Sequence, residues 1–135
     1  MKKYNREELL KLLQNYTKSV NMYLENKIMG SNSESLIYLL YNGIVKFLNQ
    51  SIVNIEHKRF DKANESLIRA QDIISELNRT LNMDIEISQN LNQLYNYMLE
   101  SLQKANFEKN IAIINDVLNL SLELRDTWKQ IYNIK

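Results

Sequence analysis

The chain has 135 residues, 44% of them apolar and 24% charged, enough for one domain with one hydrophobic core and not comfortably two. Seventeen lysines and arginines against sixteen acids leave a net charge of +1, which argues against a nucleic-acid binder, whose affinity needs many unpaired bases facing phosphate. Cysteine is absent, so disulfides and thiolate metal sites are excluded. The opening residues turn acidic at Glu7-Glu8, where a signal peptide would begin its apolar stretch. The longest apolar run, Leu36 to Tyr41, is too short to span a bilayer. These features lead to the expectation of a cytoplasmic protein with no membrane insertion.

Charge is uneven along the chain: residues 1–30 carry six bases and three acids, the remainder eleven bases and thirteen acids. A basic arm on a slightly acidic body hints at docking between the two. Within the arm, Asn5 followed by Glu8 has the form of a capping box, and Leu9, Leu12, Leu13 and Tyr16 form a short amphipathic helix. The arm is read as residues 1–31. It also holds Met22, Tyr23, Leu24 and Ile28, apolar groups that a free segment would expose. We expect Met22 to Ile28 to cover apolar surface on the body of the protein.

From residue 32 to 135 nothing interrupts helix formation: proline is absent, and Gly30 and Gly43 are the only glycines. The polar cluster Gly30-Ser31-Asn32-Ser33 is a helix entry, with Asn32 the first candidate for the cap and Ser31 or Ser33 the others. The first long helix runs from about Glu34 to Glu56, with Leu36, Leu39, Leu40, Ile44, Phe47, Leu48, Ile52 and Ile55 apolar. The clearest stripe follows, in Phe60, Ala63, Leu67, Ala70, Ile74, Leu77 and Leu81, an alternation of threes and fours. A third helix from about Glu86 to Lys104 carries Ile87, Leu91, Leu94, Tyr95, Met98 and Leu102. The fourth, from about Glu108 to Tyr132, runs through Ile114, Val117, Leu124, Trp128 and Ile131. Connections near His57-Lys58-Arg59, Asn82 to Ile85 and Asn106-Phe107 are so short that successive helices must lie antiparallel. The fold class is all-α: an antiparallel up-down four-helix bundle with an additional short N-terminal helix or arm. Charges suit the helix dipoles, with Glu34, Asp61, Glu86 and Glu108 near starts and Lys58, Arg59, Arg79 and Lys104 near ends.

Nothing in the pattern suggests catalysis. The sole histidine, His57, sits among Glu56, Lys58 and Arg59 at a helix end, where a cation suits the carboxyl terminus. The inward Glu-x-x-His pairs of a di-iron bundle are missing, and Asp84-Ile85-Glu86 lacks the glycine and later glutamate of a calcium loop. No phosphate loop or nucleophile elbow occurs. We therefore expect no catalytic residue, no metal and no cofactor. Five Asn-x-Ser/Thr triplets, at Asn15, Asn49, Asn64, Asn78 and Asn119, are read as chance in an asparagine-rich chain.

Two features do suggest a protein partner. Of eight tyrosines, Tyr38, Tyr41, Tyr95, Tyr97 and Tyr132 fall in or beside the stripes, where they serve either core-edge packing or a groove for another chain. Gly43 is open to the same two readings, a close helix contact or a notch for a ligand. The first and last long helices also carry more apolar surface than a four-helix core requires, notably Leu36 to Val45 and Ile111 to Leu122. The surplus must meet the arm, a second copy or a foreign helix.

Several strings together resemble one family. Leu39-Leu40-Tyr41-Asn42-Gly43 is similar to the Leu-Tyr-Asp/Asn-Gly signature of the flagellin-specific export chaperones of bacterial flagella. Arg69-Ala70-Gln71-Asp72-Ile73-Ile74-Ser75-Glu76-Leu77 continues the likeness, as do Asn90-Leu91-x-x-Leu94-Tyr95-x-Tyr97-Met98 and Ala105-Asn106. Val117-Leu118 and Leu124-Arg125-Asp126-x-Trp128 complete it, so that the resemblance covers roughly residues 22–132 in order. Two departures stand out: Asn32-Ser33 replaces a frequent Ser/Thr-Pro, and the stretch before about Val20 is longer than the family pattern.

The resemblance implies a cytoplasmic, non-catalytic chaperone of type III secretion. Such a protein would bind the disordered C-terminal segment of flagellin, block premature polymerisation and deliver the subunit to the flagellar export gate. Capture of an amphipathic segment in an apolar groove is the physical logic. The partner-binding residues expected are Tyr41, Asn42, Asn90, Tyr95, Tyr97, Arg125 and Trp128 from the matched motifs, on or just beneath the groove, with Tyr23 and Ile28 from the arm. The alternative is a non-catalytic, self-associating helical module that uses the same surface to form a weak homodimer.

Overall fold

The described residues of the computed structural model form four α-helices: α1 (Ser33–Glu56), α2 (Phe60–Arg79), α3 (Glu86–Glu108) and α4 (Ile111–Tyr132). The structure describes residues 33–81, 83–84 and 86–134. The expected arm, with Tyr23, Ile28 and the Asn32 cap, lies outside them. Helix α1 packs on α2 and α4, and α3 packs on the same two. The four thus form a ring in which neighbours run antiparallel, the up-down bundle that the short connections require. No strand occurs among the described residues.

Each tight turn is made by a residue in the left-handed region. After α1, Lys58 has φ 59°, its N–H donates to the Ile55 carbonyl at 2.9 Å, and the Arg59 N–H donates to that of Asn54 at 2.7 Å. These paired bonds form a Schellman motif, which satisfies carbonyls the helix leaves open. After α3, Lys109 at φ 52° does the same, with the Asn110 N–H reaching the Ala105 carbonyl at 3.0 Å. Asn110 then caps α4 by accepting from the Ile113 N–H at 3.3 Å.

This last turn corrects the sequence reading. The break expected at Asn106-Phe107 falls at Lys109-Asn110, so Glu108 closes α3 instead of opening α4. Asn106 is engaged sideways, donating from Nδ2 to Asn64 Oδ1 at 2.7 Å, which leaves capping to the next asparagine with extended backbone. Lys58 and Arg59 lie in the connection after α1, as expected, whereas Lys104 lies more than a turn before the end of α3.

The core runs through Ile44 and Leu48 of α1, Leu67, Ala70 and Ile74 of α2, Leu91, Leu94, Met98 and Leu102 of α3, and Ile114 and Leu124 of α4, all fully buried. Burial of this order, at about 1.5–3 kcal/mol for each large aliphatic side chain, drives the assembly. Helix α1 is long and apolar enough to cross a membrane by length and composition alone. It packs against both α2 and α4, with Tyr41, Ile44, Leu48 and Ser51 buried.

Three expected core positions are surface instead: Leu36 is 57% exposed, Leu39 62% and Phe60 47%. Leu36 and Leu39 lie in the first two turns of α1, and Phe60 is the first residue of α2, so all three sit at helix starts. On α4 the expected surplus is largely absorbed. Leu118 is buried, and Ile113, Leu120 and Leu122 pack half-buried against the core.

Candidate partner-binding surface

The end of the bundle at which α1 starts and α4 finishes holds most of the expected site. Tyr41, Tyr95 and Trp128 are interior there, each 1% exposed. The Tyr41 and Tyr95 hydroxyls are 2.8 Å apart, a hydrogen bond that crosses the bundle diagonal from α1 to α3. Trp128 meets Tyr41 edge-on, with ring centroids 6.3 Å apart and planes at 63°, a favoured arrangement of aromatic quadrupoles. Their sequence spacing explains the meeting. Tyr41 lies one helical turn before Val45, Tyr95 one turn before Leu99, and Trp128 one turn after Leu124, so each continues an apolar row towards the same end.

These three are therefore core residues rather than surface contacts, and any effect they have on a partner acts through the surface above them. Asn42 and Arg125 are half-buried on the seam between α1 and α4, where an Arg125 Nη1 hydrogen donates to Asn42 Oδ1 at 3.4 Å. Arg125 Nε also donates to Asp126 at 3.0 Å. Five of the expected residues thus form one connected cluster at one end. Asn90 and Tyr97, both half-buried, occupy the side of α3 turned away from Asn92 and Asn96, which bond to α2. Their helical phase places them towards α4.

The sequence reading counted Leu36 and Leu39 both in the apolar stripe of α1 and in its surplus, and the structure leaves both open in the first two turns of that helix, with Leu39 on the side away from the buried row of Tyr41, Ile44 and Leu48. Burying what remains exposed of each would contribute on the order of 1 kcal/mol. The signal was present in the surplus of apolar residues between Leu36 and Val45, but a stripe count cannot say which of them lie outside the stripe. Gly43 is settled as a close helix contact, since a Cβ there would stand 2.9 Å from Ile73 Cδ1 on α2.

Among the described residues one pair has a resolved perturbation, exposed in the last turn of α2 at this same end: hydrogen bonding from Arg79 lowers the Glu76 carboxyl below its usual range, and Glu76 raises Arg79. Among the described residues no cluster of histidine, aspartate and glutamate could hold a metal ion.

The architecture and the motif order find a match among known families. The model of the flagellar protein FliS family covers residues 16–135. The chain belongs to that family. Individual FliS relatives agree: the flagellar secretion chaperone FliS of Bacillus subtilis (strain 168) is 37% identical over 108 residues, 80% of this chain and 81% of the relative. That of Campylobacter jejuni is 30% identical over 115 residues, 84% of this chain and 90% of the relative. That of Escherichia coli (strain K12) is 26% identical over 110 residues, 79% and 81% of the two chains. Membership in the FliS family supports an export-chaperone role, and the family is one of non-catalytic chaperones.

Proposed function

We propose that this protein binds the C-terminal segment of flagellin in the cytoplasm, keeps it from polymerising and delivers it to the flagellar export gate. The observation that carries the reading is the pairing of FliS family membership with open apolar side chains, Leu36 and Leu39, on the first turns of α1. An amphipathic segment gains stability by covering such side chains. On the inner side of α1, Tyr41 meets Tyr95 of α3 and Trp128 of α4, contacts that brace the helix whose outer face carries Leu39. Asn42, Arg125, Asn90 and Tyr97 supply partly exposed amide, guanidinium and phenol groups at its borders, the types of group that interfaces favour.

Light scattering of flagellin assembly, with and without an equimolar amount of this protein, tests the reading. Assembly should be suppressed, and the suppression should weaken for Leu39→Asp, a change at a 62% exposed position that the fold tolerates. Normal assembly in the presence of folded protein would overturn it. The same surface could instead join two copies, the self-associating alternative. In that case sedimentation would show dimers that Leu39→Asp dissociates, with flagellin assembly unaffected.

A further inference from the structure

Two shallow depressions between α2 and α3 are lined by amides that bond to each other, Asn78 with Asn92 in one and Asn64 with Asn106 in the other. A third depression, of about 290 Å³, lies between α1 and α2 and is not satisfied in this way. Phe47, Gln50 and Asn54 line it from α1, and Lys62, Glu65, Ser66 and Arg69 from α2. None of these six polar side chains makes a hydrogen bond or an ion pair.

Ser66 is the most telling of them. It is only 6% exposed, and a buried hydroxyl without a partner costs stability. The buried Ser51 and Ser121 escape that cost by donating to their own helices, to the Leu48 carbonyl at 2.7 Å and the Val117 carbonyl at 2.8 Å. Ser66 does neither and lines the depression instead. Lys62, Ser66 and Arg69 follow one another at spacings of four and three, so they share one stripe of α2 with a cation on each side of the hydroxyl. Gln50 and Asn54, one turn apart on α1, line the other side of the groove.

The cations are uncompensated. Glu65 stands three residues after Lys62 and four before Arg69, the spacings at which helix ion pairs form, yet it pairs with neither. The neighbouring acids Asp61 and Asp72 are exposed and pair with neither as well. Arg69 Cζ lies 5.7 Å from the centre of the Phe47 ring, and Lys46 Nζ lies 5.5 Å from it. Two cations held near one ring repel each other unless an anion joins them. Lys46, Lys62 and Arg69 against Glu65 leave a net of +2, and Ser66, Gln50 and Asn54 add neutral donors.

A carboxylate would bring two oxygens to these donors. A phosphate monoester brings three terminal oxygens and a charge of about −1.5 to −2 at pH 7, the better match to two flanking cations and a hydroxyl. Phosphate by itself would leave part of the depression empty, which gives the organic group of an ester room beside the Phe47 ring. A net of +2 is small for holding a nucleic-acid backbone, where each neutralised phosphate adds to affinity.

We propose that the groove between α1 and α2 binds a phosphate monoester with an aromatic organic group, the phosphate over Ser66 between Lys62 and Arg69 and the ring against Phe47. Phe47 lies about two turns beyond Leu39 along α1, so this site is separate from the client surface and stands independently of it.

The test titrates the full chain, labelled with ¹⁵N, with phenyl phosphate, inorganic phosphate and phenylacetate at constant ionic strength. Phenyl phosphate should give saturable shifts confined to residues 46–54 and 62–69, several-fold tighter than either other anion. Arg69→Gln and Ser66→Ala should each weaken it several-fold, and Glu65→Gln should strengthen it, a gain that a merely structural role for Glu65 would not produce. Thermal unfolding checks that the variants remain folded, and folded Leu39→Asp should bind phenyl phosphate as the unaltered chain does. Adenosine monophosphate and a phosphotyrosine peptide carry the same two groups, and the tighter of them identifies the source of the ester. No saturable shift, shifts spread over lysines throughout the bundle, equal binding of phenylacetate, or full binding by Arg69→Gln would overturn the proposal. Preferential binding of RNA would overturn it as well.

Discussion

Gly43 offers a direct test of how tightly α1 and α2 approach. Replacing a mid-helix glycine with alanine should stabilise by about 1 kcal/mol from helix propensity alone. Here the added Cβ would stand 2.9 Å from Ile73 Cδ1, well inside the roughly 3.5–4.0 Å at which carbon atoms attract. Cδ1 is the far end of a flexible, half-buried side chain, so relief comes by turning Ile73 off its rotamer at about 0.5–1.5 kcal/mol. Gly43→Ala alone should therefore change stability by less than about 0.5 kcal/mol, two opposing terms nearly cancelling. Ile73→Val removes the offending methyl and alone costs about 0.5–1.5 kcal/mol. In that background Gly43→Ala should recover its full gain, raising Tm by roughly 4 °C or more for a bundle of this size. Urea and thermal unfolding of the four proteins, followed by circular dichroism, give a coupling energy of about 0.5–1.5 kcal/mol. Equal effects of Gly43→Ala in both backgrounds would refute the contact.

Lys58→Gly and Lys109→Gly should each stabilise by about 1 kcal/mol in urea titrations, because both lysines hold the left-handed conformation that glycine adopts without penalty; destabilisation would contradict the turn geometry. Ser88 is fully buried and its hydroxyl has no hydrogen-bond partner, so Ser88→Ala should be neutral or stabilising by up to about 1 kcal/mol, whereas a clear loss would mean the hydroxyl is satisfied. If apolar Met22 to Ile28 lie across the client groove as the sequence reading expects, removing residues 1–29 should raise flagellin affinity severalfold and promote self-association. Unchanged affinity in a folded, monomeric truncation would rule that arrangement out.

The bundle was legible because its evidence is redundant. In α2 the row Ala63, Leu67, Ala70, Ile74 and Leu77 is buried as the stripe requires, and the charged face opposite leaves no second choice. Boundaries were harder where two residues of one type compete. Asn106 and Asn110 are both plausible caps, and only the lateral bond to Asn64 decides between them. The site was half legible. Motif positions led to Tyr41, Tyr95 and Trp128, but a motif does not distinguish a residue that touches a partner from one that shapes the wall behind it. Periodicity also fails at helix ends, as at Leu36, Leu39 and Phe60, because burial there depends on whether a neighbouring helix reaches that far. Asparagines of α2 and α3 prove to be bonded to one another, Asn78 to Asn92 and Asn96, and Asn64 to Asn106. No pattern in one helix could show that, since the partners lie on the next.

Isothermal titration of this protein with full-length flagellin, and with flagellin lacking its C-terminal segment, tests the central claim most directly. The account predicts saturable heat with the full-length protein, none with the truncated one, and a weakened response for Leu39→Asp. No heat with full-length flagellin at tens of micromolar, or equal heat with both, would contradict it.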